Sequence, residues 1–218
     1  MMAACVFFSR GGIFSSVRGI SRKTNENRLS KAGGIVDSYL KFLGGTIQHL
    51  TRDGNILSAI VVPSVNRADR NFAIQNLLKA TSADSNLIQD VYLYIPYNDT
   101  IYSANRPILQ LRDFPDPGIL DLCRTHTAVE IADVEHITTC FYNLDGTVYM
   151  TRDFPLTGKN RMGSVILKLD SDVFYDLIQG GGNLNMPIFL FDGNGKPVFS
   201  DARHYSKDSF PAAAENLL

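Results

Sequence analysis

Val91-Tyr92-Leu93-Tyr94-Ile95-Pro96-Tyr97-Asn98-Asp99-Thr100-Ile101-Tyr102-Ser103 is the stretch from which the fold is read. Aliphatic side chains stand at 91, 93 and 95 and tyrosines at 92 and 94, so an extended chain sends the two sets to opposite faces. The spacing predicts a strand with one face packed on a helix and the other aromatic and hydroxylated. Pro96-Tyr97-Asn98-Asp99 is turn chemistry, and Thr100-Ile101-Tyr102-Ser103 reads as the return strand of a hairpin.

Downstream, residues 113–118 carry two prolines and a glycine and break the pattern. Ile119, Leu120, Leu122 and Cys123 then suit a short helix capped by Asp116. A strand is expected over 137–142, a hairpin turn at Asn143-Leu144-Asp145-Gly146, a return over 147–151 and a further strand over 163–169. Asp170 caps a helix bearing Val173, Phe174, Leu177 and Ile178, which Gly180-Gly181-Gly182 ends and which offers a domain hinge there. Beyond it, 187–191 and 197–200 flank the turn Asp192-Gly193-Asn194-Gly195-Lys196. Two strands make no stable sheet alone. This unit is therefore expected to be incomplete, docked on the first, or completed by further chain.

Upstream, Leu29, Ala32, Val36, Tyr39, Leu43, Ile47 and Leu50 recur at steps of three and four, one face of a long helix. Ile13, Phe14, Val17 and Ile20 continue the spacing, so the helix is expected to begin as early as Gly12. Gly33-Gly34 and Gly44-Gly45 weaken it by ~1 kcal/mol per residue and are expected to admit a close neighbour. Arg52-Asp53-Gly54-Asn55 stops it, and Pro63-Ser64 breaks the apolar run 56–62. Ser64 or Asn66 then caps a second helix with Phe72, Ile74, Leu77 and Leu78 as its apolar face. The apolar patch over residues 1–9 reads as the end of a transmembrane helix or as a buried turn.

A chain of 218 residues, 44% hydrophobic, has enough apolar side chains for a real core. With 21 basic against 22 acidic residues, the totals point to no nucleic-acid partner. Cys5, Cys123 and Cys140 show no CxxC spacing, and only a Cys123–Cys140 bridge remains open. Within the chain there is no run of about 20 apolar residues. Chemistry also finds little support. His49, His126, His136 and His204 lack metal-ligand spacing, no GxSxG serine is present, and no phosphate-cradling glycine loop follows a strand, so neither catalysis nor a cofactor is expected.

Two helices, about five mostly antiparallel strands, then a linking helix and a second hairpin resemble the extracytoplasmic double-Cache sensor domains of bacterial transmembrane receptors, whose modules are PAS-like. The stem over 29–50, the segment 91–96, the run Gly163-Ser164-Val165-Ile166-Leu167-Lys168-Leu169-Asp170 leading to Phe174, and the hairpin over 188–198 carry the resemblance. The tyrosine-rich strand is especially like sensors fused to AraC-type regulators or histidine kinases. The resemblance implies an α+β, PAS-like (Cache) antiparallel sheet with a long N-terminal helix, plus a partial second PAS-like module. The expected divisions are a stem over 1–52, a membrane-distal sensor over 53–182 and a membrane-proximal piece over 183–218. It also implies an extracytoplasmic place on the cell membrane, anchored by flanking segments, with the stem as a possible homodimer contact.

In such receptors the distal module binds a small molecule between its sheet and the elements laid over it. Amino-acid-binding members carry an arginine, a tryptophan two residues on, then a tyrosine. Here Arg112-Asp113-Phe114 occupies that place and Pro115 follows, and the chain has no Trp, which argues against the usual amino-acid pocket. Tyr92 and Tyr94, joined by Tyr97, Tyr142 and Tyr149, are the candidate ligand contacts, since a phenol buries a ring and orients a polar group. Arg112, Arg152 and Asp153, near strand ends, are candidates for a ligand carboxylate or amine. Asp99 and Asp145 read as turn formers. The expected function is small-molecule sensing that passes a conformational change through the stem and the second module. Two other readings stay open, a dimerising interaction module without a small ligand and an intracellular PAS- or GAF-type regulator.

Overall fold

The computed structural model describes residues 3–5, 15–61, 67–127, 139–144, 147–157, 160–178, 189–191 and 197–200. Its elements run β1 (Ala3–Cys5), α1 (Ser15–Thr51), α2 (Gly54–Val61), α3 (Arg67–Ala83), β2 (Ile88–Ile95), β3 (Thr100–Ser103), β4 (Leu109–Gln110), α4 (Pro117–Thr127), β5 (Thr139–Leu144), β6 (Thr147–Thr157), β7 (Asn160–Leu169), α5 (Ser171–Ile178), β8 (Phe189–Phe191) and β9 (Pro197–Ser200). By contacts the chain divides into two units, one of residues Met1–Leu40 with Asp172–Leu218 and the other Lys41–Ser171.

In the second unit six strands form an antiparallel sheet in the order β4-β3-β2-β7-β6-β5. The first and last of the long strands, β2 and β7, are paired at its centre. The hairpin expected over 91–103 is present. A single 3-10 turn over Pro96–Asn98 ends on Asp99, whose φ of 52° is the left-handed conformation that aspartate tolerates. Both faces of β2 are buried, as a central strand covered on each side must be.

Helices cover one face. α3 packs on β2 and β3, with the Tyr102 hydroxyl donating to Asn71 Oδ1 at 2.9 Å. Leu43, Ile47 and Leu50 of α1 are fully buried, as the periodicity predicts. Of Gly33, Gly34, Gly44 and Gly45, only Gly44 has a neighbour near the place of its missing Cβ, Met150 Cε at 4.0 Å. The expectation of close approach is thus corrected for Gly33, Gly34 and Gly45, which have nothing within 4 Å. Asp53 does more than help stop α1. Its Oδ1 accepts the amides of Asn55 and Ile56 at 2.8 and 3.2 Å and so caps α2, the helix into which the apolar run folds. Phe72 is a second correction: 68% exposed, it lies off the buried face of α3, which is Ile74, Leu78 and Thr81.

In the first unit β8 and β9 pair as the hairpin reading expects, and β1 adds a third strand, with Ala3 opposite Phe191 and Cys5 opposite Phe189. Part of the N-terminal apolar patch is therefore strand rather than helix. Ser64 and Asn66, the Asp145-Gly146 turn, the triple glycine and the 192–196 turn lie outside the described residues.

Candidate ligand-binding face

Pairing register assigns each side chain of the sheet to a face, because directly opposed residues project to the same side. Tyr92 stands opposite Ser103 and Ile166, Tyr94 opposite Ile101 and Ser164, and Asp90 opposite Lys168. On β6, Tyr149 opposes Lys168, Thr151 opposes Ile166 and Asp153 opposes Ser164. One face therefore carries Asp90, Tyr92, Tyr94, Ser103, Tyr149, Thr151, Asp153, Ser164 and Lys168. It is the face away from α3, since Tyr102 belongs to the other parity of β3.

A sheet face dense in polar groups normally looks into water. Here Ser103, Ser164, Thr151 and Asp90 are only 0–5% exposed. The tyrosines of this face are covered by the 3-10 turn Leu111–Asp113 and the segment leading into α4. Leu111, Phe114, Ile119, Leu122 and Cys123 pack on Tyr92, Tyr94, Tyr149, Ile101 and Ile166. Phe114 meets Tyr92 edge to face, centroids 5.6 Å apart, and the Arg106 guanidinium lies 5.8 Å from the Phe114 ring centre.

Buried polar groups need partners, and these find them within the face. Ser103 Oγ donates to Asp90 at 3.1 and 3.4 Å, Tyr94 to Asp99 at 3.2 Å, and Ser164 to Asp153. Burial, then the charges of Asp90 and Asp116, push the Tyr92 phenol far above its ordinary value, so it stays a donor. Asp116 ties the cover to the sheet. Its Oδ1 caps α4 by accepting the amides of Gly118 and Ile119 at 3.0 and 3.3 Å, as expected, and also accepts the Tyr149 hydroxyl at 3.4 Å. Its Oδ2 holds Lys168 Nζ at 2.8 Å. Burial works to raise the Asp116 carboxyl, but the Lys168 bond and charge and the two amides outweigh it and hold the group below its ordinary value.

Gly118 makes this junction possible. A Cβ there would lie 2.6 Å from Tyr149 Oη and 3.2 Å from Cζ. Gly118→Ala is therefore expected to cost ~1–3 kcal/mol through overpacking, against at most ~1 kcal/mol of gained helix propensity. Urea denaturation checks this, and the cost should shrink when Tyr149 is also changed to Phe.

Of the sequence-derived candidates, Tyr92, Tyr94, Tyr149 and Asp153 come together on this face. Three others lie away from it. Tyr97 sits in the turn beyond the strand end and is 82% exposed. Arg112 points outward with its side chain 78% exposed, 3.6 Å from the Asp113 carboxylate, because Leu111 takes the inward position of that turn. Arg152 has the opposite parity to Tyr149 and lies near Arg52 on the helix side, where burial and then the Arg52 charge lower its pKa. Tyr142 is opposite Tyr149 in the β5–β6 register, and its side chain lies outside the described residues. Asp90, Ser103, Thr151, Ser164 and Lys168 were not anticipated as site residues, and Asp116 was anticipated only as a cap. The alternation Ser164, Ile166, Lys168 against Val165, Leu167, Leu169 carried the signal.

Sheet, cover and helices together define an α+β, PAS-like fold. Among solved structures it is shared with the sensory domain of the Campylobacter jejuni chemoreceptor Tlp3 with isoleucine bound, at 15% identity and a TM-score of 0.55, over 86% of this chain and 74% of that one. The ligand-binding domain of Tlp3 in complex with L-norvaline aligns at 14% identity and 0.56, over 88% and 76%. The sensor domain of the Vibrio cholerae histidine kinase DctB aligns at 16% and 0.54, over 82% and 66%. No protein-family model matches the sequence, and no curated protein matches it significantly. Among the described residues there is no group of three or more potential metal ligands, and no helix is long and apolar enough to cross a membrane.

Proposed function

We propose that this chain is the small-molecule-sensing domain of a bacterial signal-transduction receptor, lying outside the cytoplasm and anchored by segments flanking it. The ligand sits between the covered face of the sheet and α4. The observation that carries this reading is the buried, hydroxyl- and carboxylate-bearing face under a cover joined to it through one helix cap, on a fold shared with sensory domains. Tyr92, Tyr149 and Thr151 orient the ligand's polar groups, while Phe114 and Ile166 bury its apolar part. Binding acts as a signal only because the ligand prefers one position of α4 over another. No step of covalent chemistry is assigned to these residues.

A thermal-shift screen tests the proposal with L-isoleucine and L-norvaline, the other common amino acids and short carboxylic acids. A ligand at 100 times its Kd adds ~2.7 kcal/mol, which is a rise of about 5–10 °C for a chain of this size. No stabilisation across the panel would sink this reading. That outcome would favour the dimerising interaction module, for which the 44% exposed Phe42 on α1 is the relevant feature.

A further inference from the structure

Lys168 has two carboxylates within its range and uses one of them. It is directly opposite Asp90 in the β2–β7 register, where cross-strand Cβ atoms stand ~5 Å apart. A lysine stem spans that gap easily. Yet its Nζ lies 2.8 Å from Asp116 on α4, and among the described residues no ion pair reaches Asp90. Asp90 is 5% exposed and is held by neutral donors, the Val91 amide at 2.8 Å and the Ser103 hydroxyl. A buried carboxylate served only by neutral donors, beside a cation bound elsewhere, is an arrangement with an alternative.

We propose that Lys168 is a two-position latch, pairing with Asp116 when α4 is seated on the sheet and moving to Asp90 when α4 lifts. Among the described residues the groups facing it are Asp90 on β2, Tyr92 on the same strand, Tyr149 on β6, whose ring centre is 5.9 Å from Nζ, and Asp116 on α4. Removing the partner of a buried charge is costly because the charge is left uncompensated. Asp90 removes that penalty for Lys168, so the cover can leave the sheet without stranding a cation. The freed Asp116 moves outward, where water solvates it. The latch goes beyond the proposed function and stands whether or not a small molecule binds.

The test is a comparison of Asp90→Asn in two backgrounds of the full chain, followed by thermal melting. Asp116→Asn keeps a good helix cap while removing the ion pair, so it isolates the latch. In the wild type, where Lys168 sits on Asp116, Asp90→Asn should move the Tm by less than ~2 °C. In the Asp116→Asn background, where Lys168 depends on Asp90, the same change should lower Tm by at least ~5 °C. Equal shifts in both backgrounds, or the larger shift in the wild type, would overturn the proposal. Asp116→Ser, another competent cap, supplies the second background if the asparagine variant does not fold, and the same two outcomes decide there. Failure of the ligand screen leaves this comparison unaffected.

Discussion

Truncating Phe114 to alanine is expected to cost ~3–5 kcal/mol of folding stability, the range for deleting a buried aromatic ring. Phe114 is 2% exposed and bridges three things: the Tyr92 ring on the sheet, the guanidinium of Arg106, and the first turn of α4. The ring lies where the chain passes from a 3-10 turn into a helix, held by a single Phe114 amide bond to the Leu111 carbonyl at 3.1 Å. A segment held by one such bond can relax toward the hole, which places the cost toward the lower end of that range. Urea denaturation of the variant measures it. Because the same ring closes the cover over the tyrosines, ligand-induced stabilisation should fall in parallel. A variant destabilised by under ~1 kcal/mol would show that the cover is not packed as described.

Asp116→Ala should cost ~2–4 kcal/mol, from two separable sources. Loss of the cap accounts for ~1 kcal/mol. The remainder comes from breaking the Lys168 ion pair and the Tyr149 hydrogen bond, discounted from the figure for a fully buried pair because the two side chains keep 21% and 12% of their exposure and because Asp90 is there to receive the lysine. Asp116→Asn separates the two, since it should recover the cap portion only. The pH dependence has a definite sign. The folded-state carboxyl lies below its ordinary value of 3.8. Its contribution is therefore complete above that value and is lost as the pH falls through the lower folded one. The stability gap between wild type and Asp116→Asn should be constant near neutrality and close on acidification below ~pH 4. A gap that widens on acidification would contradict the assignment.

Much of the fold was legible because it rests on local periodicity. The alternation at 91–95 gave both faces of β2, and the turn residues after Ile95 gave the hairpin. Asp116 announced a helix start by its chemistry alone. The missing elements carried no such signal. Ala3–Cys5 is too short for alternation to show, and it became a strand only through pairing with β8, more than 180 residues away. Phe72 looked like core because helical spacing cannot say which side of a short apolar arc is turned outward. The site was half legible for the same reason. Tyrosines at alternate positions pointed to the right face, whereas Lys168 and Asp116, 52 residues apart, meet only after β7 is registered against β2 and β6. Arg152 and Asp153 looked equivalent in sequence, yet adjacent strand positions lie on opposite faces, so only Asp153 joins the tyrosines.

The tyrosine rings offer the most direct test of the central claim that the ligand binds on the sheet face under α4. With tyrosine side chains isotopically labelled and assigned by single Tyr→Phe variants, the compound that most raises the Tm in the screen is titrated and the ring signals followed by NMR. Large shifts are expected at Tyr92, Tyr94 and Tyr149, with the helix-side Tyr102 and the exposed Tyr97 unmoved. Shifts centred on Tyr102 or Tyr97, with Tyr92 and Tyr149 unchanged, would contradict that claim.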